Sequence, residues 1–385
     1  MSIQENANPD VFERLPEKYT YHEMNVHDSF ETSERDRIEL SLRELESMGY
    51  YGDTDVHRAL ERKRLSAIDY GNPATKELIA RVPGVEHWLA LVPTPRALSP
   101  LYDPSCEYLP DGHPMGDELR TWMIEIADAR GLRYRKQMVT ELLSSPDDNS
   151  RGNRKLDGAF EKWLSIASGA AQQILEAAHH VREQTGVAPE MTLVDLSSEA
   201  LDDAKQSAAE RGLADNLRVE RMNVLRRQGL HIPARLGELA VQRLMNRHDR
   251  AKLSREKLSE ETYDIVEGVG ILEYMKPDDW PYRYNGVVTL KTMQAGAKTF
   301  LKNSYKLVKP GGDLIVGNML DTHPQLGFTL NTIQWPHIQP RSVDEMMQLF
   351  DDAGIEGDRH VYVPADADNR VYALYRIRKP GGEKY

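Results

Sequence analysis

The sequence predicts an α/β chain built on a doubly wound, mostly parallel sheet, and three observations carry that prediction. From Trp163 onward, short apolar runs alternate with helix-length amphipathic stretches. Each run ends in a turn of small or polar residues. The second run carries a carboxylate at its tip, Asp195. Strands separated by helical patterns of this length pair in parallel with helices over both faces, and such sheets bind ligands at the carboxyl ends of their strands.

The elements follow in order. Trp163 to Ile166 is the first strand; the small-residue turn Ala167 to Ala171 follows, and a helix starts near Gln173. The turn holds one glycine, Gly169, where a dinucleotide fingerprint has three. Met191 to Leu196 is the second strand. Asp195 at its tip either accepts hydrogen bonds from both hydroxyls of a ribose or caps the helix that begins near Ser198. Gly186 and Pro189 punctuate the return between these strands. Leu217 to Val224 reads as a third strand ending near Asn223, and Tyr263 to Gly270 as a fourth ending in a glycine-bearing loop. Asp313 to Met319 is a fifth, after a helix stopped by Lys309 to Gly312.

Taken together, Ala167 to Ala171, Val194 to Ser197, Tyr263 to Gly268 and Leu307 to Gly312 resemble the ordered motifs of class I S-adenosylmethionine-dependent methyltransferases. The resemblance spans about residues 117–380. It implies a seven-stranded Rossmann-like sheet and S-adenosylmethionine as cofactor. Ala167, Ser168, Gly169 and Ala171 would lie near the methionyl group, and Asp195 on the ribose. Leu196, Asn223 and Val224 are further cofactor positions, and Glu267 and Gly268 contact the methionyl amino group. The chain departs from the pattern at Ala167 and Ala171, where the family has glycines. It departs again at Ser165, where the first strand often carries an acid, and at Asn223, where aspartate is common.

Composition bounds the function. A chain of 385 residues, 40% hydrophobic, can bury a large core and suggests two domains or one elaborated domain. No apolar run approaches the roughly 20 residues that span a bilayer. The first ten residues lack the basic and apolar parts of a signal peptide, and the single cysteine, Cys106, excludes an internal disulfide or multi-cysteine metal site. These features predict a cytoplasmic protein that does not engage a membrane. The formal charge of −12 disfavours nucleic acid. Two local basic runs, Arg130 to Lys136 and Arg247 to Lys257, read better as solvated helix faces. A small-molecule substrate is the expectation.

Residues 1–115 show helical stretches, such as Ser33 to Met48 and Val56 to Ile68, and then a proline-punctuated segment. This helical N-terminal extension either covers the cofactor cleft as a lid or serves as a packing or homodimerisation element; residues 116–385 form the catalytic domain. Asp117 to Leu143 reads as one or two helices. Arg135 there can hold the methionyl carboxylate through paired hydrogen bonds, with a surface salt bridge as the alternative for it and Arg133.

The acceptor side is expected after the fourth strand. Tyr274 and Tyr284, in and beside the aromatic loop Lys276 to Tyr284, can wall the pocket and stabilise a sulfonium by cation–π attraction of about 0.5–2 kcal/mol; simple packing is the alternative for the loop's Trp280 and Tyr282. His323 and His337 are base candidates, or structural histidines. Arg341 to Phe350 reads as a capped helix ending near Gly354, and Val361 to Val363 and Val371 to Ile377 suit the family's closing antiparallel strands. No metal-ligand spacing stands out. The expected activity is methyl transfer to an O or N atom of a small molecule. Two alternatives use the same fold: cyclisation of the cofactor on its own amino group, giving azetidine-2-carboxylate and methylthioadenosine, and ligand binding without turnover.

Overall fold

The computed structural model describes residues 19–30, 32–48, 68–92, 94–144, 161–222, 258–275, 282–284, 287–289, 296–335 and 338–381. Its strands are β1 (Thr20–Met24), β2 (Lys162–Ile166), β3 (Glu190–Asp195), β4 (Leu217–Arg221), β5 (Tyr263–Gly268), β6 (Tyr282–Tyr284), β7 (Val287–Thr289), β8 (Val308–Met319), β9 (Asp358–Pro364) and β10 (Tyr372–Arg378). The helices are α1 (Arg35–Met48), α2 (Pro73–Arg81), α3 (Val85–Leu91), α4 (Ser99–Tyr102), α5 (Asp117–Glu125), α6 (Ala127–Ser144), α7 (Gln172–Thr185), α8 (Ser198–Glu210), α9 (Ala297–Leu307) and α10 (Val343–Asp352).

Alternation along β2 shows how the strands sort their side chains. Leu164 and Ile166 enter a core with Phe300 and Leu301 of α9 and Phe350 of α10. Trp163 enters the opposite core with Met138 of α6, Ile174 and Val181 of α7, and Ala204 of α8. Period-2 alternation of apolar residues on a strand covered on both sides produces this arrangement. The main sheet runs β1-β9-β10-β8-β5-β2-β3-β4, and only β10 is antiparallel to its neighbours. After β2 the chain builds outward through β3 and β4, then crosses back to β5 on the other side of β2. The reversal opens a crevice at the carboxyl ends of β2 and β5.

Local signals fix the helix ends. Ser342 and Glu345 form a reciprocal capping box at the start of α10, where the sequence predicts a capped helix. Ser197 caps α8, its Oγ accepting from the Ala200 amide at 3.2 Å. Gly131 lets α6 lie directly on the sheet, because a Cβ there would come within 2.5 Å of the Val371 side chain.

A third core sits beyond the carboxyl ends of the strands. Ile38 and Leu42 of α1, Leu78 of α2, Trp88 of α3 and Leu101 of α4 pack there with Trp122, Leu132, Phe328, Trp335 and Tyr372. The N-terminal helices thus share one core with residues of the sheet region.

Several expectations are corrected. The sheet has eight strands, not seven, because β1 from the predicted helical extension adds in parallel to the outer edge of β9, Thr20 opposite His360 and Met24 opposite Pro364. Its five residues carry no turn signal and mix polar with apolar side chains, so edge pairing rather than local pattern makes the strand. The third strand stops at Arg221, short of Asn223. The run from Arg130 to Lys136 is neither a solvated face nor a basic patch: Arg130, Arg133 and Arg135 are all buried. The expected helix at Val56 to Ile68 and the run Arg247 to Lys257 fall on or extend into residues outside those described. Among the described residues, no helix is long and apolar enough to cross a membrane, and no cluster of histidine, cysteine or acidic side chains could hold a metal ion.

Candidate active site

The turn between β2 and α7 departs from ordinary backbone at three positions: Ala167, Gly169 and Ala171 have φ of 55°, 54° and 54°. The left-handed region costs an alanine about 1–2 kcal/mol, so the surrounding structure holds two residues where local preference opposes them. The Ser168 amide donates to the Val194 carbonyl at 3.2 Å and the Ala171 amide to the Ser168 carbonyl at 2.8 Å. A Cβ on Gly169 would meet no atom within 4 Å, so the backbone there faces open space. Ala171 is the N-cap of helix α7 and supplies no side-chain cap, leaving amide donors and the positive end of its dipole at the same place.

Asp195 ties the turn to the tip of β3. Its Oδ2 accepts from the Gly169 amide at 2.8 Å, and its Oδ1 from the Ser197 amide at 2.8 Å. It is 9% exposed. A carboxylate oxygen has two acceptor positions, so each still has capacity for a ligand hydroxyl. Asp195 thus braces the residue that caps α8 and faces the cleft.

The cleft encloses about 310 Å³. The stretch Ala167 to Gln173 and Asp195 form one wall; Val269, Gly270, Ile271, Tyr274 and Trp335 form the other; Arg135 lies between them, and Thr94, Leu98, Ser99 and Tyr102 of the N-terminal region complete the lining. Beside it is a recess of about 20 Å³, sharing Leu98, Arg135, Gly270, Tyr274 and Trp335 with the cleft and adding Asp128, Glu273 and Tyr372. Asp128, Leu132 and Arg135 stand at i, i+4 and i+7 of α6, hence on one helix face.

The polar groups of this second wall are mutually engaged. Arg135 Nη1 donates to Glu273 Oε1 at 3.1 Å, Nη2 donates to Tyr102 Oη at 3.0 Å, and the guanidinium lies 4.6 Å from the ring centre of Tyr372. Trp335 Nε1 donates to Tyr274 Oη at 2.8 Å. Burial pushes the Glu273 carboxyl above the usual carboxylate range, against the pull of Arg135. Burial, reinforced by the charge of Glu273, also raises the Tyr274 phenol, so near neutral pH Tyr274 is a hydrogen-bonding group rather than a base.

The structure gathers Arg135, Ala167, Ser168, Gly169, Ala171, Asp195 and Tyr274 around one cleft. It puts other predicted residues elsewhere. Glu267 is buried behind the wall, where Ser165 Oγ donates to Oε2 at 2.5 Å and the Val269 amide to Oε1 at 2.8 Å. Its carboxyl is pushed up by burial, opposed by the hydrogen bond from Ser165. Ser165 and Glu267 are register partners, so the acid missing from β2 is supplied by β5. A Cβ on Gly268 would lie 3.1 Å from the Phe300 ring, so this glycine makes room for core packing. Leu196 is outside the lining, and its carbonyl accepts from Arg221 Nε at 3.0 Å.

His323 is buried behind Asp128. The Gln325 amide donates to Nδ1 at 2.9 Å, which fixes the proton on Nε2, 3.4 Å from Asp128 Oδ1. Its accepting nitrogen is therefore occupied. Asn223, Val224 and His337 lie outside the described residues, as does the side chain of Tyr284 in β6. Glu273, Asp128, Tyr102 and Tyr372 were not anticipated. The one local signal among them is an acid inside the otherwise apolar and aromatic run Leu272 to Met275.

The three parallel strands β2, β3 and β4 on one side of the switch point, β5 and β8 on the other, and the inverted β10 inserted before β9 make this the class I methyltransferase fold. No protein-family model matches the chain and no curated protein matches it. It is similar to a solved structure described as a possible exported protein from Bordetella parapertussis, with 16% identity over 89% of this chain and 97% of that one and a TM-score of 0.52. It also resembles the S-adenosylmethionine-dependent methyltransferase SibL, at 15% identity over 90% and 76% of the two chains and a TM-score of 0.44. An O-methyltransferase family protein from Burkholderia thailandensis gives 14% identity over 69% and 62% and a TM-score of 0.40. At these identities the likeness concerns the fold alone.

Proposed function

We propose that the protein is an S-adenosylmethionine-dependent methyltransferase acting on an O or N atom of a small molecule. The observation that carries the reading is the left-handed turn at Ala167 to Ala171 with its Gly169 amide anchored on Asp195, beside an open cleft. Asp195 would hold the ribose hydroxyls, and the turn and the uncapped start of α7 would approach the methionyl end of the cofactor. When bound, the cofactor supplies a methyl group activated by a sulfonium.

The chain's own contribution is alignment, which alone can account for most of such a displacement. Tyr274 and Trp335 offer aromatic surface to a cation. Leu98, Ser99 and Tyr102 reduce the access of water, which supports residues 1–115 acting as a lid on the catalytic region 116–385. Arg135 has both terminal nitrogens engaged, so it orders Glu273 and Tyr102 unless a ligand carboxylate displaces them. Titration calorimetry with S-adenosylmethionine and S-adenosylhomocysteine tests the reading; absence of binding by both would sink it.

The N-terminal contribution to the lining also supports a second reading, cyclisation of the cofactor on its own amino group. Methylthioadenosine released from enzyme and cofactor alone would favour it. Strict dependence on an added acceptor would exclude it.

A further inference from the structure

The recess beneath the second wall holds unspent acceptor capacity. Glu273 is 2% exposed, and while its Oε1 accepts from Arg135, its Oε2 has no hydrogen-bond partner among the described residues. A buried, unpaired carboxylate oxygen is costly unless a ligand completes it. Asp128, 4% exposed, uses Oδ2 on the Thr329 hydroxyl at 2.5 Å, and its Oδ1 has the 3.4 Å approach of His323 Nε2.

The nearby guanidinium and indole donors are committed elsewhere. Arg135 Nη1 and Nη2 serve Glu273 and Tyr102, and Trp335 Nε1 serves Tyr274. Arg341, the other cation whose charge reaches Glu273, directs its guanidinium to the carbonyls of Leu272 and Met275 and to the Asn318 amide oxygen. Among the charged groups at the recess, the open capacity thus belongs to carboxylate oxygens. An anionic head group would meet two carboxylates, whereas a group rich in N–H donors would satisfy them. The recess, of about 20 Å³, takes one water-sized group, and it opens beside a cleft large enough for the rest of a molecule. Tyr274, Trp335 and Tyr372 line it with rings, which also favour a cation.

We propose that the recess receives the protonated amino group of the acceptor, so that the substrate class is a primary amine whose body lies in the cleft. The substrate role rests on the methyl-transfer reading above; the recognition chemistry rests on Glu273 Oε2 and Asp128. Glu273 is thereby a binding residue.

Titration calorimetry on the full chain, with S-adenosylhomocysteine saturating, would compare phenethylamine with its neutral isostere 2-phenylethanol. The expected result is that the amine binds at least about tenfold more tightly, the scale of one charge-assisted hydrogen bond, and that Glu273→Gln removes most of the preference. Equal affinities, or no saturable binding of the amine, would overturn the proposal. The comparison on the unaltered protein stands even if the variant does not fold, and Asp128→Asn gives a second variant with the same expectation. If S-adenosylhomocysteine itself does not bind, the methyl-transfer reading falls, and the amine-to-alcohol comparison on the cofactor-free protein still decides the recess. If Glu273→Gln weakens S-adenosylhomocysteine but leaves 5′-methylthioadenosine unaffected, the recess serves the cofactor's own ammonium and the acceptor assignment is overturned.

Discussion

On one side of the cleft, Ala167 to Ala171 presents backbone; on the other, Tyr274 and Trp335, with Arg135 between the walls and Glu273 in the adjoining recess, present side chains drawn from α6, the loop after β5 and the segment after β8. The first wall is one continuous turn held by hydrogen bonds to Val194 and Asp195. The second exists only because three distant segments pack together. A backbone wall can accept any small residue that tolerates its φ angles, so alanines serve where glycines are usual. A side-chain wall depends on each partner's neutralising or satisfying the next, so single changes there propagate. Arg133 and Arg135 illustrate the second case: two residues apart on α6, one faces the cleft while the other clamps Asp28 and the carbonyls of Leu101, Met123 and Ile124.

The contrast can be broken most forcefully at Arg133. Arg133→Ala leaves the buried Asp28 carboxylate unpaired and should cost about 3–5 kcal/mol of stability in urea unfolding; a loss under 1 kcal/mol, roughly that of an exposed pair, would show that the second wall does not depend on its clamp. Next in size, Asp195→Ala should weaken S-adenosylhomocysteine about 10- to 100-fold in calorimetry, the loss of charge-assisted hydrogen bonds. Ser197→Ala, which removes only the α8 cap, should leave that affinity unchanged.

A smaller effect separates the two alanines of the turn. Ala167→Gly should stabilise the protein by about 1 kcal/mol by relieving its left-handed φ. Ala171→Gly should be nearly neutral, because Ala171 is 2% exposed and its methyl contributes about 0.8 kcal/mol of burial that the glycine gives up. Equal thermal shifts for the two would show that strain alone governs the turn.

The smallest effect is a pH dependence behind the second wall. Burial raises the folded-state pKa of Glu267 above 4.5, so the folded protein holds the proton more tightly than the unfolded chain. The stabilising contribution is complete below 4.5 and declines as pH rises through the raised value. Glu267→Gln should flatten that part of the stability–pH curve in urea titrations; an unchanged slope would assign it to other groups.

Much of the first wall was legible because it is local. The turn, the acid at Asp195 and the strand–helix alternation all lie within short stretches whose spacing reflects backbone geometry. The α10 capping box and the two closing strands were legible for the same reason. Edge strand β1 was not, since five mixed residues become a strand only by pairing with β9 at the far end of the chain. Nor was the buried arginine run, because charge periodicity reads as a solvated face unless the partners that neutralise it are known. Glu267 was identified as a site position, yet its register with Ser165 turns its carboxyl away from the cleft lining.

The sequence by itself determined the class of sheet, the succession of its parallel strands along the chain, the turn at Ala167 to Ala171 and the position of Asp195, because these follow from side-chain period and local turn chemistry. Tertiary structure alone decided that Arg130, Arg133 and Arg135 are buried, that His323 lies against Asp128, and that Glu273 keeps one carboxylate oxygen unpaired. Those outcomes depend on burial and on partners tens to hundreds of residues away, and a pattern within one segment carries no information about either.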